Sequence, residues 1–368
     1  MSDHMDIFFA CAPGLEPTLA EECRATGFAK PRQRPGGVEI QGTWQDAWRA
    51  NLDLRGAVRV LVRIGGFRAM HLAQLDKRAR RFDWGAVLRP DVPVRVEATC
   101  KASRIYHAGA ATQRVARAIH EELGAPIDDK ATLRVLTRIE DDMVTFSIDS
   151  TGAPLHKRGH KQAVNKAPMR ENLAAMFLRG CGYSGSEPVY DPMCGSGTFP
   201  IEAAEIALGL QPGRSRRFAL EDLANFDADA FAGLRRDGRT QTGLRFYGSD
   251  RDAGAIEMSK ANAERAGVGE ITRFHKAPVS EIAPPDGPPG LVMINPPYGG
   301  RIGNKNMLYA LHSSLGTRLM EQFSGWRVGL ITNEGGLARA TGLPFLPTGA
   351  PVAHGGLKVR LYRTDPLP

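Results

Sequence analysis

The sequence predicts an α/β protein in two parts: a doubly wound parallel sheet with helices on both faces, preceded by a smaller α+β region. From Pro188 onward, short apolar runs alternate with segments of helical length, which is the order that produces a parallel sheet covered by helices. A glycine-rich loop at 192–198 separates the first of these runs from the helix that follows it. Before residue 150, strands such as Ala57–Ile64 alternate between apolar and polar side chains, which is typical of half-buried strands.

We divide the chain at its turn-rich and basic segments. Residues 1–55 are predicted to form an N-terminal α+β subdomain, in which Thr43 is the expected N-cap of a helix. Residues 56–150 are predicted to form a second α+β domain. Residues 151–168, which include a basic run, read as a linker, and residues 169–368 are predicted to form the α/β domain.

Composition limits the class of protein and of partner. The chain has 368 residues, 48 Lys+Arg against 40 Asp+Glu, and a sequence pI near 9.4, which favours a nucleic-acid partner. No apolar run reaches the ~18 residues of a membrane helix, and the N-terminus lacks the pattern of a signal peptide, so we expect a cytoplasmic protein without membrane contact. The five cysteines include no C-x-x-C pair. Free thiols and no bound metal are therefore expected. A monomeric state is a separate expectation that the cysteines do not bear on.

The first motif is a loop between a predicted strand and a predicted helix. A Gly-x-Gly at this place lets a ligand approach the backbone, and the helix N-terminus favours electron-rich groups, although a plain tight turn is the alternative. Asp250, at the end of the next strand, is placed to bind ribose hydroxyls, whereas Asp252 fits an N-cap better. The candidate cofactor-binding residues are Asp191, Cys194, Gly195, Ser196, Gly197, Thr198, Asp250 and Arg251.

The second motif is Asn295-Pro296-Pro297-Tyr298, directly after the apolar run Leu291–Ile294. An amide and an aromatic ring at the carboxyl end of a strand lie where α/β proteins form ligand sites. The Asn295 side-chain oxygen and the Pro296 carbonyl are candidates to accept both hydrogens of an exocyclic amine, and the Tyr298 ring is a candidate to stack on a flipped base. A proline-rich turn without a ligand is the alternative.

Together the segments 191–198, 248–252 and 295–299 resemble the class I S-adenosylmethionine-dependent methyltransferases of exocyclic amines. The whole chain resembles the THUMP-domain RNA methyltransferases, in particular the N-terminal half of the bacterial 23S rRNA guanine-N2 methyltransferases. Segments 155–160 and 167–175 are similar to that family's domain junction, 101–107 to a THUMP segment, and 357–362 to its closing strand.

The resemblance implies a Rossmann-like methyltransferase domain, a ferredoxin-like subdomain at 1–55 and a THUMP-like RNA-binding domain at 56–150. It implies methyl transfer from S-adenosylmethionine to guanine N2 of 23S rRNA, with Asn295, Pro296, Pro297 and Tyr298 as catalytic residues. The candidate RNA-binding residues are Arg78, Arg80, Arg81, Lys101, Arg104 and Arg301, although a solvated helix face explains 77–81 equally well.

Three alternatives stay open: a tRNA guanine-N2 methyltransferase, an adenine-N6 methyltransferase, and a non-catalytic RNA-binding or assembly factor. One departure from the family concerns the cofactor's adenine, because the family usually has an acid after the third strand. This chain has Ala277 and Pro278 there, so that contact is unassigned. Because the chain ends at Pro368, we also expect the second methyltransferase of the bacterial double enzyme to be absent.

Overall fold

The computed structural model describes residues 4–162, 169–297 and 305–368. The chain forms two compact units. We call the first the N-terminal unit; it contains the residues up to 11, 20–155 and 216–235. The second, the C-terminal unit, contains 12–19, 156–215 and 236–368.

The N-terminal unit is built on a seven-stranded sheet of the order β2-β3-β1-β4-β7-β6-β5 within the described chain. Its neighbours pair antiparallel except β5 and β6, which are parallel. The strands are β1 (Met5–Ala10), β2 (Arg32–Arg34), β3 (Gly37–Gly42), β4 (Arg59–Arg68), β5 (Val94–Lys101), β6 (Leu133–Glu140) and β7 (Met143–Asp149).

The helices of this part of the chain are α1 (Glu16–Ala25), α2 (Trp44–Asp53), α3 (Leu72–Arg80) and α4 (Ala108–Leu123), with a 3₁₀ turn at Trp84–Ala86. Thr43 is the N-cap of α2, as predicted, because its hydroxyl accepts from the Asp46 amide while the Asp46 carboxylate accepts from the Thr43 amide.

A segment from the middle of the chain also belongs to the N-terminal unit. Residues 216–235 carry a 3₁₀ turn (Ala219–Asp222) and a short helix α7 (Ala228–Ala232). The Leu220 amide donates to the Ser150 carbonyl at 2.9 Å. The Trp48 ring lies 5.6 Å from that of Phe226 and 6.4 Å from that of Phe231. Aromatic burial therefore holds this segment in place.

The C-terminal unit is built on a second sheet of the order β10-β9-β8-β11-β12-β14-β13, again over the described residues. The run from β10 to β12 is parallel, and β14 and β13 add antiparallel pairs. The strands are β8 (Val189–Asp191), β9 (Phe246–Asp250), β10 (Thr272–Lys276), β11 (Leu291–Ile294), β12 (Arg327–Thr332), β13 (Val352–His354) and β14 (Leu357–Arg363).

Helices link these strands and supply the core. They are α5 (Glu171–Gly180), α6 (Thr198–Ala207), α8 (Ala253–Ala266), α9 (Lys305–Gln322) and α10 (Gly335–Ala340), with 3₁₀ turns at Gly269–Ile271 and Val279–Glu281. Every residue of β11 is fully buried, and the Tyr190 ring stacks on Phe323 at 5.7 Å. This apolar strand and helix packing matches the predicted doubly wound sheet.

Candidate functional site

Four parallel strands bring the predicted motif residues to one edge of the C-terminal sheet. Asp191 pairs with Gly248 and Lys276 with Asp250, so Asp250 extends two residues beyond Asp191. Asn295 follows β11, which is the other neighbour of β8. Because carboxyl ends of parallel strands share an edge, the glycine loop, Asp250 and Asn295 flank one region, where ligands bind in open α/β sheets.

The glycine loop leaves open space above its backbone. Gly195 has φ +54°, and a Cβ built there meets nothing within 4 Å. Gly197 has φ +81° and is the N-cap of α6, and a Cβ there would lie 3.0 Å from the Ser259 Cβ. Glycine is thus needed at 197 for packing, whereas at 195 it keeps a cradle clear for a ligand.

Helix α8 and strand β9 hold the loop through its backbone. The Ser259 hydroxyl donates to the Gly195 carbonyl at 2.9 Å, and the Asn262 amide donates to the Ser196 carbonyl at 3.0 Å. The Gly195 amide donates to the Asp250 carboxylate at 3.1 Å. These three bonds fix the loop, and the sequence analysis missed Ser259 and Asn262. Their only sequence signal is their three-residue spacing, which puts both on one helix face.

The two acids at the sheet edge occupy different environments. Asp191 is 2% exposed and accepts from the Met193 amide at 3.0 Å. Burial raises the pKa of its carboxyl well above the usual range, and the nearby Asp250 charge adds to this. Asp250 is half-buried and also accepts from the Asp252 amide at 3.0 Å. Asp250 is therefore the acid that remains open to a ligand, while Asp191 shapes the loop.

The other cofactor candidates lie at or near the same loop. Cys194, Ser196 and Thr198 are buried, and the Cys194 amide donates to the Ser249 carbonyl at 3.0 Å. Burial raises the pKa of the Cys194 thiol well above its usual value. Arg251 is exposed. Asp252 caps α8, because its carboxylate accepts from the Gly254 amide at 2.9 Å, as predicted.

The second motif presents a buried amide oxygen without a partner. The Asn295 Oδ1 is inaccessible to solvent and accepts no hydrogen bond within the described ranges. Pro296 is buried and Pro297 is half-buried. Tyr298 and Arg301 lie outside the described residues. An unsatisfied buried acceptor costs about 1–3 kcal/mol, so a donor group is expected to complete this site.

The residues after β10 provide no acidic side chain beside Asp250. The Ala277 amide donates to the Asp250 carbonyl at 3.0 Å, so Ala277 lies beside the acid of β9. Its methyl side chain offers no acceptor there. The Phe274 ring lies so close to Gly248 that a Cβ there would be 2.7 Å from it. An apolar wall therefore stands where the family usually has a carboxylate.

A buried ionic cluster lies under α6, and the sequence analysis missed it. Arg158, in the predicted linker, pairs with Glu202 at 3.0 Å, and the two side chains are 1% and 2% exposed. His160 Nε2 lies 3.1 Å from Glu205, which Arg214 also contacts at 2.7 Å. The signal was present in α6, because two acids three residues apart interrupt an otherwise apolar helix.

The RNA-binding candidates are arranged unequally on the N-terminal unit. Arg78 and Arg81 are exposed on and after α3. Arg80 is held by the carboxylates of Asp76, Glu121 and Glu122 at 3.1, 2.6 and 3.0 Å. Its charge is largely neutralised inside the unit, so it is a weaker phosphate ligand than its neighbours.

Lys101 is the last residue of β5, and Arg104 lies on the segment that follows it. Lys101 pairs with Glu140 at 2.9 Å yet stays 75% exposed, and Arg104 is 72% exposed. No helix in the described part of the chain is long and apolar enough to cross a membrane. The same residues include no cluster of three His, Cys, Asp or Glu that would hold a metal, and all five cysteines are free.

Comparison with known proteins adds family matches. The UPF0020 model, described as an RMKL-like methyltransferase domain, matches residues 158–343. A model described as the RlmL ferredoxin-like domain matches residues 6–61. Residues 62–157 lie between these two matches.

Curated relatives carry the name ribosomal RNA large subunit methyltransferase K/L. The Chromohalobacter salexigens protein is 33% identical over 93% of this chain and 50% of its own length. That of Psychromonas ingrahamii is 30% identical over 92% of this chain and 47% of its own length. The chain thus spans about half the length of the curated relatives it matches. A solved structure, described as a predicted N6-adenine-specific DNA methylase from Listeria monocytogenes, is 29% identical, with TM-score 0.86 over 98% of this chain and 96% of that one.

Proposed function

This chain belongs to the UPF0020 family of RMKL-like methyltransferase domains, and from that membership we propose that it methylates an exocyclic amine of an RNA base, namely guanine N2 of 23S rRNA. Membership confirms the predicted enzyme class, a methyltransferase that takes its methyl group from S-adenosylmethionine. It also confirms the predicted fold, a Rossmann-like domain preceded by a ferredoxin-like region. The residue roles below are proposals.

The residues at the sheet edge fit S-adenosylmethionine. Gly195 leaves its backbone open, and the N-terminus of α6, which has no side-chain cap, offers a positive dipole end to a carboxylate. Asp250 offers carboxylate lone pairs to ribose hydroxyls. When bound, the cofactor supplies a methyl group already activated on a sulfonium. The protein therefore needs to position the acceptor amine, which accounts for most of the rate.

The observation that carries this proposal is the unpartnered Asn295 Oδ1. An aromatic amine is a poor nucleophile, because its lone pair is delocalised into the ring. If Asn295 Oδ1 and the Pro296 carbonyl accept its two hydrogens, a pyramidal nitrogen is favoured and its lone pair is free to point at the methyl group. No strong base is required, since the alkylated amine loses its proton readily.

The choice of substrate rests on the resemblance and on the curated relatives, whose names specify the large ribosomal subunit. The exposed cations Arg78, Arg81, Lys101 and Arg104 of the N-terminal unit are the proposed contacts to RNA phosphates. A cytoplasmic location and a monomeric state remain predictions, as does the domain division at 55, 150 and 168.

Methyl transfer from labelled S-adenosylmethionine to unmodified 23S rRNA, tRNA and DNA tests the proposal, with mass analysis of the digested nucleosides. N2-methylguanosine in 23S rRNA is expected, and Asn295→Ala should form it about 10²- to 10³-fold more slowly. The same product in tRNA would change the substrate and keep the chemistry. Likeness to the Listeria protein, described as a predicted N6-adenine-specific DNA methylase, favours adenine N6 as the second candidate. N6-methyladenosine would refute the guanine assignment. Cofactor binding without transfer to any nucleic acid would favour a binding role.

A further inference from the structure

The segment between β5 and α4 is a rigid loop on the N-terminal unit. The Ser103 hydroxyl and the Arg104 amide both donate to Asp142 Oδ1, each at 2.8 Å. Ile105 is 3% exposed and anchors the middle of the loop. At the far end, His107 caps α4, because its Nδ1 accepts from the Ala110 amide at 3.0 Å. The loop is therefore fixed before any ligand binds.

This loop displays an aromatic ring to solvent. Tyr106 is 84% exposed, whereas Met307 reaches 60% and the remaining exposed large apolar side chains of the described chain at most 42%. Across those same residues the structure gives Tyr106 no hydrogen bond and no ring contact. A large ring held outward between the buried Ile105 and the helix cap His107 is an unusual use of surface, since such rings are normally packed.

Cationic side chains lie at the same end of the N-terminal sheet as the loop that carries this ring. Strands β4 and β5 run in the same direction, so the N-termini of α3 and α4, the positive ends of both helices, lie at one end of the sheet. The Arg104 guanidinium confirms this proximity, because its Nη1 lies 3.4 Å from the Met70 sulfur just before α3. Arg68 and Lys101 are exposed at the same end.

Most of the acidic side chains at this end of the sheet are already paired with cations or hydrogen-bonded to the loop. Glu140 is shared between Lys101 and Arg138. Hydrogen bonds from these two cations lower the pKa of Glu140, and bonds from the loop lower that of Asp142. Asp141 is exposed beside them. The net charge of the surface is therefore small, which favours a ligand held by stacking as well as by charge.

We propose that Tyr106 is a stacking platform for an unpaired base of an RNA ligand, with Arg104 and Lys101 contacting the adjoining phosphates. The identity of the ligand as RNA rests on the proposed function. An unpaired base is specified because bases inside a duplex already stack on each other and present no free face to a side chain. Residues 62–157, which contain the loop, are covered by neither family match.

Fluorescence anisotropy of the full chain with a labelled single-stranded RNA dodecamer, and with the same sequence in a duplex, tests the platform. Tyr106→Ala is expected to weaken single-strand binding roughly 5- to 100-fold and to leave duplex binding unchanged. Tyr106→Phe keeps the ring and should bind like the wild type. Met320→Ala, which removes an exposed apolar side chain of the C-terminal unit, is the matched control.

Salt dependence separates stacking from charge. Arg104→Ala should lower the slope of log K against log salt by about 0.7, as expected for one phosphate contact to a single strand, whereas Tyr106→Ala should leave the slope unchanged. Wild-type affinity of Tyr106→Ala for the single strand would overturn the platform, and a surface for a protein partner would then be the better explanation.

Methyl transfer distinguishes failure of this inference from failure of the proposed function. If the wild type methylates RNA and Tyr106→Ala has an unchanged KM for it, the platform is refuted and the proposed function stands. If the wild type transfers no methyl group but Tyr106→Ala loses single-strand affinity, the platform stands without that function. A raised KM for RNA with unchanged kcat and unchanged S-adenosylmethionine affinity supports both.

Discussion

Substitution of Gly195 by alanine tests whether glycine is needed there for cofactor binding or only for its left-handed backbone conformation. Gly195 and Gly209 both adopt left-handed φ, +54° and +66°, and a Cβ at either position meets nothing within 4 Å. Gly209 follows the C-terminus of α6, whereas the glycine loop lies at the N-terminus of that helix. Gly209→Ala is therefore a matched control, with the same backbone strain but no proposed ligand.

The expected stability changes are equal for the two variants. A left-handed non-glycine residue costs roughly 1–2 kcal/mol, and the smaller entropy of the unfolded alanine chain offsets roughly 0.4–1 kcal/mol of this. Each variant should thus lose about 1 kcal/mol of unfolding free energy by the same reasoning, or about 2–4 °C in Tm for a unit of this size. Gly197→Ala should lose roughly 1–3 kcal/mol more, because its Cβ presses on Ser259.

Cofactor affinity should differ between the two. A methyl group in a fitted cradle costs about 1–3 kcal/mol of overpacking, so Gly195→Ala should bind S-adenosylmethionine roughly 5- to 150-fold more weakly by titration calorimetry. Gly209→Ala should bind it like the wild type. Equal affinities of the two variants, at equal stability, would refute the assignment of the cradle to Gly195.

Further predictions concern the amine acceptor, the loop support and a buried histidine. Asn295→Ala should lower the single-turnover rate constant of methyl transfer about 10²- to 10³-fold and leave S-adenosylmethionine affinity unchanged. A loss of cofactor affinity instead would contradict its role at the amine. Asn262→Ala orphans the Ser196 carbonyl and should weaken S-adenosylmethionine binding roughly 5- to 10-fold while RNA affinity, measured by anisotropy, stays constant. Burial, with nearby arginines and lysines, lowers the pKa of His156 to about 4. Because the unfolded state then binds the proton more tightly, stability should fall as the pH drops from about 6.5 toward 4, and urea titrations of His156→Asn should show a flatter dependence on pH.

The site could be predicted because its residues follow strand ends. Asp250 ends one predicted strand and Asn295 directly follows another, and the rule that parallel strands share a carboxyl edge brings them together without any knowledge of long-range packing. Strand bounds were harder to predict. The alternation of β4 breaks at Gly65 and Gly66, which indicated a strand end, yet the strand bulges between Arg63 and Gly65 and continues to Arg68.

Long-range packing explains what the sequence analysis missed. The three phenylalanines among residues 216–235 show no periodicity, so no local pattern indicates where this segment packs. Their partner, Trp48, lies far away in the sequence. Local patterns do not encode such contacts, so only the structure assigns this segment to the N-terminal unit.

The environment of the basic run at 157–161 was also not evident from the sequence. A cluster of cations normally indicates a solvated segment, but Arg158 and His160 are nearly fully buried against the two carboxylates of α6. Burying charges costs several kcal/mol per ion unless they are paired with good geometry, so the acids of α6 and the basic run require each other. Since α6 begins at the glycine loop, this pairing fixes the helix whose N-terminus faces the proposed cofactor. Arg265 adds a second link, because it donates to the His160 carbonyl at 2.9 Å and also contacts Asn262. The basic run therefore supports the glycine loop indirectly, through α6, while Ser259 and Asn262 donate directly to the loop carbonyls.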